Sequence, residues 1–485
     1  MPGGMVETGR RAPVVRVVLV AALVAGLMAT VSARATGVTG SAVPGCHAAW
    51  PVIAHRAGGD IVRLPAAARP TACATQTGYA TSESTIAVTS AGTLVYSPAQ
   101  TENSMARSTD QGATWSLTYP ADEQYTSFWN TTDPDLIADR RTGRVFWAHA
   151  TGPVRTEGTL PDGLGFWLAA AYGFQVYTSR DDARTFTTAD YSTAPMGDWE
   201  KIFVGPPPPS SSGAARPVGY PDVVYVCANS PLEVSGPGRL CYKSLDGGAT
   251  FAIAGYVSPS LSQPPDVCAP LNFSTGVVDS QGTIFQPVAC LRGAYLTVSH
   301  DEGASYTWLP VKDAPSSPPF GGNTLQVAVD DADNLYAVWT AAGGLMMERS
   351  TDHGRSWSPP LAVGGPGLHH VTLPAAAAGA RGHLGFTYYA STSPSAGTLT
   401  AYITQTSNAL DAQPLFYTGA INDPAHPIFQ DFGVTGPSPR ADFVSLAYDR
   451  AGTTAWAGVV EQLGPADANN HIPTTGYVGR LAFPR

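Results

Sequence analysis

Lysine is nearly absent from this chain: Lys201, Lys243 and Lys312 are the only three in 485 residues. Charged side chains of every kind make up 13%, and the formal net charge is −10. So few basic groups under a negative total argue against a nucleic-acid backbone or an anionic lipid surface as partner. Nearly all the basic residues are arginine, a compositional hint of a GC-rich bacterial gene. Cysteine is scarce at six. None of the six forms a Cys-x-x-Cys pair, so a zinc site has no support. No apolar run reaches the roughly 20 residues that a membrane-spanning helix needs. There is no Gly-rich phosphate loop and no Gly-x-Ser-x-Gly elbow, and nothing calls for a cofactor. Helix-forming stretches are almost missing after the N-terminus.

Turn formers are abundant instead, with 51 Gly and 42 Pro. That mix fits many short strands, and 485 residues are enough for one large core. Residues 1–35 read as a secretory signal. Arg10, Arg11 and Arg16 form a basic start, Val17 to Val31 is the apolar run, and Ala33-Arg34-Ala35 offers a small-residue cleavage site. Cleavage after Ala35 releases a secreted, extracellular chain without a membrane anchor, and makes the net charge more negative still. In that setting an even cysteine count predicts disulfides, although six cysteines allow 15 connectivities. Proximity in the chain favours Cys46–Cys73, Cys227–Cys241 and Cys268–Cys290. Residues 36–81 form an N-terminal extension held by the first of these. Its segment from Pro51 to His55 is a candidate for pairing with the last repeat.

The clearest pattern is an eight-residue turn. Ser108-Thr109-Asp110-Gln111-Gly112-Ala113-Thr114-Trp115 is followed by close copies at Ser244 to Phe251 and Ser350 to Trp357. The copy at Ser299 to Tyr306 ends in tyrosine, and the one at Ser179 to Phe186 lacks the glycine. The common form is Ser-x-Asp-x-Gly-x-(Ser/Thr)-aromatic. The Asp carboxylate accepts hydrogen bonds from N–H groups of its own turn, and Gly supplies a positive φ at no steric cost. The aromatic then opens the next strand and buries a large ring.

Five such turns in order resemble the Asp box, or BNR repeat, of the sialidase superfamily. The resemblance implies an all-β fold over residues 82–485, a β-propeller of four-stranded antiparallel blades. In that family the boxes join the outer two strands of a blade on the face away from the active site. They therefore bear on the fold and leave the chemistry open.

Between the turns, a polar residue followed by a β-branched run recurs. It starts at Glu83, Asp133, Asp198, Asn272, Asn323, His369 and Asp442, and a second apolar strand follows each time. The count of these units predicts seven blades, with six as the alternative if the weak sixth unit is an elaborated loop.

In a propeller the innermost strands line a channel, and ligands meet the face where those strands begin. Glu83, Asp133, Asp198, Glu200 and Asp442 are thus the candidate catalytic carboxylates, and Arg440, Asn272 and Asn323 the candidate substrate-binding groups. Asp135 and Glu200 lie two residues after Asp133 and Asp198, on the same strand face. Three readings stay open. These residues cap strand ends, or they form a glycan site in which crowded carboxyls keep one another protonated, or they bind a hard cation such as Ca²⁺. No metal can be named from the sequence.

Catalytic sialidases carry an arginine in a Phe/Tyr-Arg-Ile-Pro motif ahead of the first box, and this chain has none. Arg292, Arg381 and Arg440 are the alternative channel-side arginines, and Tyr388 or Tyr389 the available phenols. The His369-His370 pair lacks a placeable third metal ligand. The resemblance implies a carbohydrate-active protein: a monomeric exo-glycosidase acting on a glycan or cell-surface glycoconjugate, or a non-catalytic propeller that binds one.

Overall fold

The computed structural model describes residues 46–81, 84–98, 105–118, 129–130, 134–152, 173–188, 199–209, 216–230, 238–257, 274–317, 325–395, 398–429, 444–464 and 473–484. Among these, the chain is all-β apart from one 3-10 turn at Ala66–Ala68. Two strands come first, β1 (Ala48–Arg56) and β2 (Thr71–Gln76). The first four-stranded sheet follows as β3 (Thr85–Val88), β4 (Leu94–Ser97), β5 (Met105–Ser108) and β6 (Ser116–Thr118). The second holds β7 (Trp129–Asn130), β8 (Asp135–Ala138), β9 (Val145–Gly152), β10 (Gly173–Ser179) and β11 (Thr187–Thr188).

The third sheet is β12 (Lys201–Gly205), β13 (Val223–Ser230), β14 (Gly238–Ser244) and β15 (Ala252–Tyr256). The fourth is β16 (Val277–Val278), β17 (Ile284–Ala289), β18 (Ala294–Ser299) and β19 (Thr307–Pro310). The fifth is β20 (Leu325–Val329), β21 (Leu335–Ala341), β22 (Gly344–Ser350) and β23 (Leu361–Ala362). The rest form one ten-stranded sheet. Its first part is β24 (His369–Ala378), β25 (Leu384–Ser391), β26 (Thr398–Thr406) and β27 (Leu415–Ala420), with β28 (Ile428–Phe429) on β26. Its second part is β29 (Ser445–Tyr448), β30 (Ala455–Gln462) and β31 (Thr474–Ala482).

All pairings are antiparallel, so each set is a meander of hairpins. The inner strands β3, β8, β12, β16, β20, β24 and β29 touch in that order, and β29 touches β3 again. This closed ring of radial antiparallel sheets is the arrangement of a β-propeller.

Ring closure differs from the expectation. The fourth strand beside β31 is β2, paired from Thr71↔Ala482 to Gln76↔Tyr477. Pro51 to His55 instead lies in β1, whose first half pairs with β2 and whose second half pairs with β27. Residues 48–56 and 71–76 are thus built into the sheets, and β1 ties the two parts of the large sheet together. Cys46–Cys73 fastens this closing hairpin, and Cys227–Cys241 joins directly opposed residues of β13 and β14. Cys290 is also disulfide-bonded, whereas Cys268 lies outside the described residues.

The repeated turns share one geometry. Ser108 Oγ donates to Asp110 Oδ1 at 2.8 Å and accepts the Gly112 N–H at 2.8 Å. Thr114 donates its N–H to Oδ1 at 2.9 Å and its hydroxyl to Oδ2 at 2.6 Å. The same contacts recur around Asp181, Asp246, Asp301 and Asp352. Gly112 has φ 89°, and where glycine is missing Ala183 takes the left-handed conformation at 59°. A sixth, altered copy joins β26 to β27: Thr406 Oγ1 donates to Asn408 Oδ1, which also accepts the Leu415 N–H at 2.9 Å. After β31 there is no such turn, because the next strand, β2, comes from the other end of the chain.

The residue after each Asp reaches the preceding sheet. Gln111 accepts from Arg480 at 3.0 Å, and Asp182 accepts from Arg107, Thr89 and Thr93. The Gly247 carbonyl accepts from Arg144, Glu302 pairs with Lys243 at 2.6 Å, and His353 meets Asp279 at 3.0 Å. All five of these residues have φ between 58° and 74°. The left-handed bend turns them sideways out of their own turn, so each turn also staples neighbouring sheets.

Candidate functional site

Neighbouring inner strands each pair with the second strand of their own blade and have no backbone ladder between them, so their remaining polar groups must find other partners. Side chains provide them. The Ile202 N–H of β12 donates to Asp135 Oδ2 of β8 at 2.9 Å, and the Ile86 N–H of β3 donates to Ser445 Oγ of β29 at 2.7 Å. Gln326 of β20 donates to Ser274 Oγ, just before β16, at 2.9 Å. Asp135, Ser445 and Gln326 are therefore ties between blades.

The ring encloses a cavity of about 260 Å³ lined by side chains from all of these strands, among them Thr85, Asp135, Lys201, Val277, Gln326, Ala375 and Ser445. Its walls are mainly β-branched and small apolar residues, with Asp135, Lys201 and Gln326 among the polar groups that line it. Asp135 is 8% exposed. Burial pushes its carboxyl up from the ordinary aspartate range, opposed by the Lys201 charge, the Ile202 N–H and Arg239. Such a carboxyl holds its proton longer than an exposed one as pH rises.

At the far end of the channel an arginine links several sheets. Arg140 follows β8, on the side opposite the strand starts, and donates to both Asp331 carboxylate oxygens at 3.1 and 3.0 Å. Its Nε donates to the Asp449 carbonyl at 3.1 Å. It thus spans from the second sheet to the fifth and to the turn after β29. Because each inner strand runs from the entry face toward this floor, the Ser-x-Asp turns, which follow the third strand, lie on the floor side.

Of the residues named as catalytic or substrate-binding, Glu200 alone lies among the described residues. It sits directly before Lys201 and is fully buried. Glu83, Asp133, Asp198, Asp442, Arg440, Asn272 and Asn323 lie outside the described residues. The other candidates are redistributed. Arg381 sits in the β24–β25 turn, on the floor side, and Arg292 is exposed in the β17–β18 hairpin. Tyr388 and Tyr389 belong to β25, a second strand rather than an inner one, and both are fully buried. Tyr388 exchanges a hydrogen bond with Thr404 at 2.9 Å, and Tyr389 donates to the Val460 carbonyl at 2.9 Å. They brace the blade interior, away from the cavity. His370 contacts the Pro394 carbonyl at 2.8 Å.

Sequence reasoning did not single out Lys201, Gln326 or Arg140 as site residues. Lys201 and Gln326 follow named positions by one and three residues, odd offsets that put them on the opposite strand face, so strand phase passed over them. Arg140 carries no local signal, since an arginine after an aspartate is ordinary turn chemistry.

No family model and no curated protein matches the sequence. Among solved structures, the K499G mutant of NanB sialidase from Streptococcus pneumoniae is similar at TM-score 0.41 and 13% identity, over 84% of this chain and 70% of that one. The GH74 xyloglucanase from Xanthomonas campestris is similar at 0.42 and 14%, over 83% and 55%. The polysaccharide lyase Uly1 is similar at 0.43 and 8%, over 84% and 91%. Likenesses this distant assign neither a family nor a reaction to the chain.

Proposed function

We propose that this protein is a secreted, sialidase-like carbohydrate-active propeller with seven blades, whose glycan ligand docks where the inner strands begin. The observation that carries the reading is the central cavity of about 260 Å³, with Asp135, Lys201 and Gln326 on its wall and Arg140 at the end away from the strand starts. Seven inner strands in one closed ring support the blade count. Two disulfides fit an oxidising, extracellular setting.

As an enzyme it would be a glycoside hydrolase drawing on Glu83, Asp133, Asp198, Glu200 and Asp442, with Arg440, Asn272 and Asn323 holding the sugar. Asp135 adds a buried carboxyl that burial pushes up from the ordinary aspartate range, the direction a general acid needs. A non-catalytic glycan-binding propeller is the second reading. It is favoured by the engagement of Asp135 with the Ile202 N–H, which gives that carboxylate a structural task.

Turnover on a panel of aryl glycosides, including a sialoside, run beside a glycan-binding array separates them. Turnover that Asp133→Ala and Asp442→Ala abolish supports the hydrolase. Binding without turnover supports the second reading, and neither binding nor turnover rejects the glycan assignment.

A further inference from the structure

The junction between the fourth sheet (β16–β19) and the fifth (β20–β23) holds two titratable contacts, each reaching from the fifth sheet onto the fourth. In the first, Glu348 of β22 is completely buried, and neither carboxyl oxygen receives a hydrogen bond from a described N–H or O–H donor. What it meets is a second carboxyl, that of Asp313 in the segment after β19. Two carboxyls attract only with a proton between them. Burial, then Asp313, pushes Glu348 up to about 7, so the proton sits on the buried partner. Its strand neighbour Arg349 turns the other way, onto the Asp411 carbonyl at 2.6 Å.

In the second contact, His353 Nδ1 meets Asp279 Oδ2 at 3.0 Å, and the Asp279 side chain is fully buried. This pair attracts as ions only while the imidazole is protonated. Asp279 also accepts the N–H groups of Gln281 and Thr283, and His300 faces Thr283 at 3.3 Å. A third link, Ser280 to Asp333, uses neutral donors at 2.8 and 2.6 Å.

We propose that this junction is a pH-operated joint: a shared proton at the buried Glu348–Asp313 contact closes it in acid, and it loosens as pH rises to neutrality. The shared-proton contact is at full strength below the ordinary glutamate value of 4.5, weakens as pH rises through about 7, and changes no further above that.

The junction between the two parts of the large sheet is a contrast within the same molecule. There Glu461 is also buried and raised to about 7, and it likewise faces an aspartate, Asp423. But it also has partners for its charge: His426 Nδ1 at 3.3 Å and the Asp423 N–H at 3.3 Å, with Tyr477 beside it. Loss of a proton is compensated there and uncompensated at Glu348. The Glu348 joint adjoins the channel through Ser274 and Gln326, yet the inference stands whatever the ligand is.

Hydrogen exchange read by mass spectrometry, wild type against Glu348→Gln at matched pH from 5 to 8, tests it. Glutamine keeps the shape and donates to Asp313 at every pH. Relative to this variant, wild-type exchange in 307–317 and 344–350 should rise by up to about tenfold per pH unit below 7 and then level off. Exchange in 384–406 should not differ between the two. Asp313→Asn, which removes the opposing charge, should flatten the profile in the same way and decides the matter if Glu348→Gln does not fold. Identical profiles for wild type and the two carboxyl variants, or a rise spread evenly over all sheets, would overturn the proposal.

Discussion

Replacing Asp182 is the most informative perturbation of the scaffold, because one side chain there joins two sheets. Its carboxylate accepts from Thr89 Oγ1 at 2.5 Å, Thr93 Oγ1 at 2.7 Å and Arg107 Nη2 at 2.7 Å, while its carbonyl accepts from Arg107 Nε at 2.8 Å. The two charged side chains are 19% and 14% exposed, so the pair is neither fully screened nor fully desolvated. A buried pair broken on one side costs about 3–5 kcal/mol, and an exposed one below about 1. This pair lies between, so Asp182→Ala should cost about 2–3 kcal/mol, part of it alanine's strain at φ 65°.

Asp182→Asn keeps an acceptor oxygen and tolerates the left-handed backbone, so about 1–1.5 kcal/mol should be lost with the charge alone. Burial raises the Asp182 carboxyl, but Thr89, Thr93 and Arg107 outweigh it and hold the group below its ordinary value of 3.8. The wild-type contribution is therefore present above about pH 4 and lost as pH falls below it, and the asparagine variant lacks that acid-side loss. Urea unfolding followed by tryptophan fluorescence at pH 7 and at pH 3 reads both quantities. Two variants within about 0.5 kcal/mol of wild type at pH 7 would refute the staple.

The turns themselves make a smaller contribution. Asp110→Ala removes three hydrogen bonds of one exposed turn and should cost about 1–2 kcal/mol in the same assay. Gly255→Ala would place a methyl carbon 2.2 Å from the Gly303 carbonyl oxygen, in the seam between the third and fourth sheets, and should lower stability by about 1–3 kcal/mol. Replacing both Cys227 and Cys241 by alanine opens a short loop and should cost about 2–3 kcal/mol, seen as a lower Tm only under non-reducing conditions.

Local structure was largely legible in the sequence, and long-range assembly was not. The Ser-x-Asp turns could be read because a carboxylate, a hydroxyl and a positive φ are all needed within eight residues. The altered turn at Thr406 to Asn408 was hidden, since Thr and Asn do the work of Ser and Asp and the loop is longer. Ring closure by Thr71–Gln76 left no trace, because its partner Thr474–Ala482 lies some 400 residues away and neither strand is tagged for the other. The staples escaped for a different reason: Gln111, Asp182, Gly247, Glu302 and His353 share a backbone bend and a direction, not a chemistry. Glu348 sits within a strand that reads Gly-Leu-Met-Met-Glu-Arg-Ser, where a charged residue looks like a solvent-facing position. The neighbouring blade buries it. At the channel, strand phase pointed to Glu200, whereas its neighbour Lys201 lines the cavity, and sequence could not separate groups that tie blades together from groups left for a ligand.

The central claim is that ligand chemistry belongs to the entry end of the channel and the repeated turns to the scaffold. Glycan binding and aryl-glycoside turnover, measured per folded molecule for Asp135→Asn and Asp110→Ala, test it most directly. The account predicts that Asp135→Asn loses most of the binding or turnover, while Asp110→Ala keeps both and is only less stable. Full activity in Asp135→Asn together with lost activity in a folded Asp110→Ala protein would contradict it.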